Sequence, residues 1–368
     1  MMIFLRISRN TPRYIWIFLA ALCQVLLLFI LLHGKIEPLP PEVQNMDRDD
    51  ESSPEIATAT EIPLPTPLTG NLRDIAFVIN NTTICWGNPK TIVFIITRVH
   101  NYRQRRVIRA TWAKPTSDIR FAFLVGLPDA TDHLWDWFLF AEMTTYGDII
   151  QLGVEDTYDR LTIKTGGMIK WVYDYCRHVK YVIKSDDDMY LDAAQFTSAL
   201  DAHADQNAYF VCKVFFRPKV NRDPTSKFFV GRESWPLSTF PNHCCGSGYG
   251  FTANIIPDMW GTALKTDLMK NEDVWWTGIV GMKINGVKLI SDERIHFTPS
   301  LKNWCEVKPY ITTHELQPEN MLEIWREKLA GKTCPPPKRP RSTNKPKDYP
   351  EKTNHRQKES ANERVNIT

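Results

Sequence analysis

Asp186-Asp187-Asp188 places three carboxylates at consecutive positions. Like charges repel, and apolar packing gains nothing from them. In an extended segment Asp186 and Asp188 point to the same side, so one divalent cation could relieve the repulsion. Mg²⁺ or Mn²⁺ prefers a few carboxylates together with phosphate oxygens, a coordination that suits a nucleotide-diphosphate sugar. The plain alternative is a solvated acidic turn, and an isolated Asp triplet is usually that. Here the triplet directly follows Lys180-Tyr-Val-Ile-Lys184, an apolar run that reads as a strand, and this context favours chemistry.

Cationic groups fall elsewhere in the chain. Arg105, Arg106 and Arg109 span about one and a half helical turns, with Arg105 and Arg109 on one face. Guanidinium groups recognise phosphate through paired N–H donors, so Arg105 and Arg109 are candidates for a donor site. A structural salt bridge explains them equally well, and Lys164 has the same two readings. Gly246, Gly248 and Gly250 would let backbone approach a ligand closely.

The elements that must position these groups alternate. Thr91–Thr97 is a continuous apolar run, the mark of a strand buried on both faces. A helix is predicted over 103–112, a strand over 120–125, a helix over 132–145, a strand over 148–151, a helix over 161–175 and a strand over 180–184. This βα rhythm predicts a mostly parallel sheet with helices on both faces. Ligands of such sheets bind beyond the carboxyl ends of the strands, which is where the Asp triplet falls.

The rest of the chain sets the context. With 368 residues and a net charge of only +3, much of the positive charge lies in the tail beyond residue 330, which excludes a basic nucleic-acid groove. Ile15–Leu32 is long enough for a transmembrane helix, and Arg6, Arg9 and Arg13 precede it. By the positive-inside rule, residues 1–13 are expected to be a cytosolic tail, 14–33 a signal anchor, and the body lumenal. A cleaved signal peptide is the rival. Residues 34–88 are Pro-rich and acidic and read as a lumenal stem. Residues 89–330 are the expected catalytic domain, and 331–368 a basic, Lys/Pro/Asn-rich tail expected to be disordered. Asn80-Asn81-Thr82-Thr83 holds two overlapping N-glycosylation acceptors, Asn80 and Asn81. Seven cysteines would be lumenal, an odd number whose pairing the sequence leaves open.

These pieces resemble the β-1,3-galactosyltransferase family, glycosyltransferase family 31, which also includes β-1,3-N-acetylglucosaminyltransferases. The residues that carry the resemblance run in family order from about Lys90 to Leu329. They are Arg105-Arg106-Val-Ile-Arg109-Ala-Thr111-Trp112, Phe123-Leu-Val-Gly126, Glu142 with Tyr146-Gly-Asp148, Asp156-Thr-Tyr158 with Leu161-Thr-Ile-Lys164-Thr165, Lys184-Ser-Asp-Asp-Asp188, Gly246-Ser-Gly248-Tyr249-Gly250, and Glu272-Asp273-Val274 with Gly278.

The resemblance implies a GT-A fold, Rossmann-like, and a hexosyltransferase with a UDP-sugar donor, a Mn²⁺-type metal and inversion at the anomeric carbon. It implies a glycan acceptor on glycoprotein or glycolipid, a Golgi membrane setting and no nucleic-acid partner. Residue by residue, it makes Asp188 the first metal ligand and His314 the histidine that completes the site. Asp186 and Asp187 would meet the donor. Asp273 would be the base that takes the acceptor proton, with Glu272 its competitor and a helix-start acidic pair the structural alternative. UDP-galactose is the expected donor, with UDP-GlcNAc and UDP-GalNAc as alternatives. A catalytically silent sugar-binding protein is the reading from another class. Cys244-Cys245, Met189-Tyr190 and Trp275-Trp276-Thr277 depart from the family pattern, and the last is a candidate lining for the acceptor site.

Overall fold

The computed structural model describes residues 71–128, 134–297 and 301–335. The expected cytosolic tail and anchor, the stem up to residue 70 and the tail beyond residue 335 lie outside the described residues. Among the described residues, no helix is long and apolar enough to cross a membrane.

The strands, in chain order, are β1 (Phe77–Ile79), β2 (Thr91–Ile96), β3 (Ile119–Leu127), β4 (Ile149–Glu155), β5 (Tyr181–Asp186), β6 (Tyr190–Leu191), β7 (Tyr209–Phe215), β8 (His243–Thr252), β9 (Lys288–Ser291) and β10 (Thr312–Thr313). The main sheet runs β1-β4-β3-β2-β5-β8-β7-β9. Its centre, β4-β3-β2-β5, is parallel. β1 joins antiparallel at one edge, and β8 lies antiparallel to both β5 and β7. Every residue of β2 is buried, and its side chains alternate between two cores. Ile92, Phe94 and Ile96 face one core, Val93 and Ile95 the other.

Helices fill both faces, as the alternation of elements requires. Helix α3 (Leu161–Tyr175), helix α5 (Ile256–Ala263) and a π-helix over Val274–Val280 bury Ile169, Val172, Met259 and Trp276 in the first core. Helices α1 (Tyr102–Ala110), α2 (Leu134–Tyr146), α4 (Ala193–Asp201) and α7 (Pro318–Leu329) bury Ile108, Leu139, Phe196 and Ile324 in the second. A single turn, α6 (Trp304–Val307), precedes α7.

The folded body takes in residues that the sequence assigned to the stem. Leu72 and Ile75 are buried in the first core, and β1 pairs with β4. Gly166 of α3 makes room for this: a Cβ there would lie 2.6 Å from Leu72 Cδ2. The physical reason is composition. The proline cluster of the stem ends at Pro67, and the apolar residues that follow have a sheet edge and a helix to cover.

Three disulfides settle the pairing: Cys85–Cys176, Cys212–Cys244 and Cys305–Cys334. Among the described residues Cys245 is the free cysteine, and it is buried. His178 lies 3.6 Å from Cys85 Sγ, but both sulfurs of that cluster are spent in the disulfide, so it offers no thiolate to a metal.

Cys85–Cys176 spans a sequence separation of 91 and pins the N-terminal segment to the end of α3. Cross-links over long loops typically contribute about 2–4 kcal/mol. The double variant Cys85→Ser, Cys176→Ser is therefore expected to lose stability of that order in urea unfolding. An unchanged midpoint would show that the segment holds without its tether.

Candidate active and metal site

β5 leads straight into the Asp triplet at the carboxyl end of the parallel strands. Downstream, β6 pairs with β10 through Leu191↔Thr312 and Tyr190↔Thr313. This two-rung ladder carries His314 to the triplet. The Leu316 amide donates to the Asp188 backbone carbonyl at 2.8 Å, and Glu315 between them takes a left-handed φ of 59°, a conformation that costs energy for a residue with a Cβ.

One donor atom each from Asp186, Asp188 and His314 lies within 4.8 Å of the others. His314 Nε2 is 3.3 Å from Asp188 Oδ1. His314 Nδ1 lies 3.3 Å from the Phe297 carbonyl, so its N–H donates there and Nε2 turns its lone pair towards the aspartates. Asp188 Oδ1 is buried and accepts no hydrogen bond. The contact with His314 Nε2 lacks hydrogen-bond geometry. An orphaned carboxylate oxygen, a second carboxylate and an oriented imidazole make a donor set that fits a divalent cation. Burial works to lower the His314 pKa, but Asp188 more than offsets it and the value is raised. Burial raises the Asp186 carboxyl, with Lys184 opposing.

Asp187 faces the other way. Its Oδ2 accepts from Thr97 Oγ1 at 2.5 Å and from Asn101 Nδ2 at 2.8 Å. Burial raises its pKa against these bonds. Asp187 thus clasps the loop after β2.

Two of the cations predicted for the donor site, Arg105 and Lys164, brace that same loop. Arg105 is 1% exposed. It donates to the carbonyls of Arg98 and Val99 and makes a paired contact with Glu142 at 2.9 and 2.7 Å. Arg109 donates to both Asp148 oxygens at 2.7 Å and also to Glu142. It is stacked on Phe123 and Tyr146. Lys164 is buried and donates to the Thr97 carbonyl and to Asp156. Asp156 in turn accepts from the amides of Val99 and Gly126. Of the two readings the sequence left for Arg105, Arg109 and Lys164, the structure places all three in salt bridges: Arg105 and Lys164 also hold carbonyls of the loop that carries the donors to Asp187, and Arg109 ties Glu142 to Asp148. Burial would raise the Glu142 pKa, but Arg105 and Arg109 bring it below its usual value.

On the other side of Asp186 stand Glu272 and Asp273. Asp273 is half-buried and caps the π-helix, its Oδ1 accepting from the Val274 amide at 2.8 Å. A Cβ on Gly246 would come within 3.0 Å of Asp273 Oδ2, so the glycine keeps that oxygen accessible. Thr277 Oγ1 donates to the Asp273 carbonyl at 2.6 Å and accepts from the Cys244 amide at 2.9 Å. The capping turn is thereby tied to β8 and its disulfide.

Glu272 is enclosed. Its Oε1 accepts from Thr165 Oγ1 at 3.0 Å and from Tyr249 OH at 2.6 Å, and Oε2 lies 3.9 Å from Lys184 Nζ. Burial pushes its pKa up to about 7, opposed by Lys184 and reinforced by Asp273. Glu272 is buried, whereas Asp273 is only half-buried. Trp275 and Trp276 do not line a cleft. Both are fully buried, with Nε1 donating to the carbonyls of Asp267 and Thr162, and they anchor the helix that Asp273 caps.

Sequence reasoning missed two further residues. Lys184 is buried and donates to Asp186 Oδ1 and the Gly246 carbonyl, both at 2.5 Å. It is one cation between the metal side and the Asp273 side. Tyr158 lies near the same carboxylates. Burial, then the charges of Asp273 and Asp186, push its pKa up to about 12. Both residues stand within quoted sequence runs, but only the fold shows what they face. Asn80 and Asn81 lie far from these groups, just after β1.

The family model described as Galactosyltransferase matches residues 103–293, more than half of the chain. Asp186–Asp188 and Asp273 fall inside the match and His314 beyond its end. Beta-1,3-galactosyltransferase 1 of Mus musculus is 28% identical over 267 residues, which cover 71% of this chain and 81% of that protein. Beta-1,3-galactosyltransferase 5 of Homo sapiens is 27% identical over 277 residues, covering 72% and 87%.

Glu272 gives the site a measurable signature. Its pKa is about 7 in the fold against 4.5 ordinarily, so between these values the folded state holds the extra proton. Its contribution to stability is present below the ordinary value and is lost as pH rises through about 7. Glu272→Gln is expected to flatten that part of the pH–stability profile, read by urea unfolding across the window. Parallel profiles for variant and wild type would mean that Glu272 titrates normally.

Proposed function

The chain belongs to the galactosyltransferase family, and from that premise we propose an inverting transfer of galactose from UDP-galactose to the 3-hydroxyl of an acceptor sugar, forming a β-1,3 linkage. The enzyme class, a hexosyltransferase, follows from the family. The observation that carries the finer reading is the pairing of the Asp186–Asp188–His314 cluster with the accessible Asp273 carboxylate across Lys184. The names of the related β-1,3-galactosyltransferases support the donor and the linkage. UDP-GlcNAc and UDP-GalNAc remain the alternative donors. A catalytically silent sugar-binding protein would have no use for a complete donor set together with a separate, unblocked base.

The fold that supports this reading is of GT-A type, with the donor beyond the carboxyl ends of the parallel strands. A divalent cation, Mn²⁺ in this proposal, would be held by Asp186, Asp188 and His314 and would neutralise the diphosphate. The residues do the rest. Asp187, fixed by Thr97 and Asn101, keeps the donor-side loop in place. Asp273 takes the proton from the acceptor hydroxyl as that oxygen attacks the anomeric carbon from the face opposite UDP. Lys184 holds Asp186 and the Gly246 carbonyl and tempers the negative charge around the base. An acceptor on glycoprotein or glycolipid and a type II Golgi membrane setting complete the proposal. In sealed microsomes, protease should then spare the body of the full chain, and its digestion in intact vesicles would refute a lumenal site.

Two substitutions separate metal from base. Asp188→Ala should abolish transfer and Mn²⁺ binding by calorimetry while leaving the fold intact. Asp273→Asn should keep Mn²⁺ and UDP-sugar binding and lose about 10²–10⁴ in kcat, with any remaining product still β-linked. Near-normal turnover by Asp273→Asn would remove the base assignment. An α-linked product would overturn inversion.

A further inference from the structure

The two overlapping N-glycosylation acceptors are not equivalent in the fold. Asn81 has its side chain fully engaged. Its Nδ2 donates to the Gly147 carbonyl at 2.6 Å, and its Oδ1 accepts from the Thr83 amide at 3.1 Å and from Thr83 Oγ1 at 2.6 Å. It caps the short turn Thr82–Cys85 that leads into the disulfide to Cys176. Gly147 leaves little room beside the nitrogen: even a Cβ there would lie 3.3 Å from Asn81 Nδ2. A sugar in place of the hydrogen that Nδ2 gives to the Gly147 carbonyl would have to displace the chain there.

Asn80 is exposed. Its Oδ1 accepts from Trp171 Nε1 at 2.8 Å, which orients the amide, and among the described residues its Nδ2 makes no hydrogen bond. An N-linked sugar replaces one hydrogen of Nδ2 and leaves the carbonyl oxygen untouched, so the Trp171 contact survives modification.

We propose that the fold accepts an N-glycan at Asn80 and excludes one at Asn81, an inference that rests on the lumenal reading given above. In the modification, Asn80 Nδ2 attacks C1 of an oligosaccharide carried on a lipid pyrophosphate. The N–C1 bond forms, the bond from C1 to the phosphate oxygen breaks, the lipid pyrophosphate leaves and the amide proton passes to a base of the transferring enzyme. The glycan's place in the sheet also fixes what it does not do. β1 pairs with β4 through Ile79↔Gln151, towards the start of β4. β3 and β2 separate β4 from β5 and the Asp triplet. A sugar at Asn80 leaves the transfer cleft open.

The test uses the full chain made in a eukaryotic secretory cell, with glycopeptides released enzymatically in heavy-oxygen water so that each occupied Asn is marked as Asp. Thr82→Ala removes only the Asn80 acceptor sequence, and Thr83→Ala only that of Asn81. The expected result is a mark at position 80 in wild type and Thr83→Ala, loss of the mark in Thr82→Ala and in Asn80→Gln, and unchanged transfer activity in Thr82→Ala. A mark at position 81, alone or with 80, overturns the inference. So does an unmarked wild-type peptide. In that last case an intact Cys85–Cys176 disulfide leaves the lumenal reading standing, and free thiols there would bring that reading down too.

Discussion

Too many negative charges for one place is the condition that the rest of this molecule answers. Asp186, Asp187, Asp188, Glu272 and Asp273 converge at the carboxyl end of the sheet, where burial penalises each charge and every neighbour adds repulsion. The chain solves this by dividing them. Asp187 is satisfied by neutral donors, Glu272 is enclosed with two hydroxyls on one oxygen, and Asp186 shares Lys184 with the Gly246 carbonyl of β8, beside Asp273. What remains among these carboxylates is one buried oxygen without a hydrogen bond, on Asp188, beside an imidazole. A buried cation missing from position 184 would leave carboxylates with no counter-charge, an arrangement that proteins tolerate poorly.

The same logic extends outward. The loop after β2 carries the donors for Asp187, yet nothing in its own sequence makes it rigid. Rigidity comes from buried ion pairs on both sides: Arg105 with Glu142 against the Arg98 and Val99 carbonyls, and Lys164 with Asp156 against the Thr97 carbonyl and Val99 amide. Buried ion pairs remote from the candidate metal cluster thus set the geometry of the carboxylate beside it.

Much of this was legible in the sequence, and the failures share a cause. The buried runs of β2, β3 and β5 and the helices between them are local patterns, and they appear where periodicity placed them. The Asp triplet was legible because its position at a strand end is also local. Whether Arg105 and Lys164 meet phosphate or carboxylate is decided by partners many residues away, Glu142 for one and Thr97 for the other, and no single-chain pattern encodes that choice. Trp275 and Trp276 stand two and three residues after Asp273, but the helix turns them into the core. Family resemblance named His314. Only the β6–β10 ladder explains how it reaches Asp188.

The short strand β1 has a consequence for where this protein can be cut. It lies along β4, which would otherwise present unpaired N–H and C=O groups at the margin of the sheet. A bare margin of that kind is a template for pairing with another molecule. Shortening the chain to residue 89, where sequence composition alone would set the start of the domain, would strip β1 away. It would also leave Cys176 as an unpartnered thiol and uncover the apolar surface that Leu72 and Ile75 protect. The isolated body would then be prone to self-association, and poor solubility of such a fragment would report a badly chosen boundary and nothing about its chemistry.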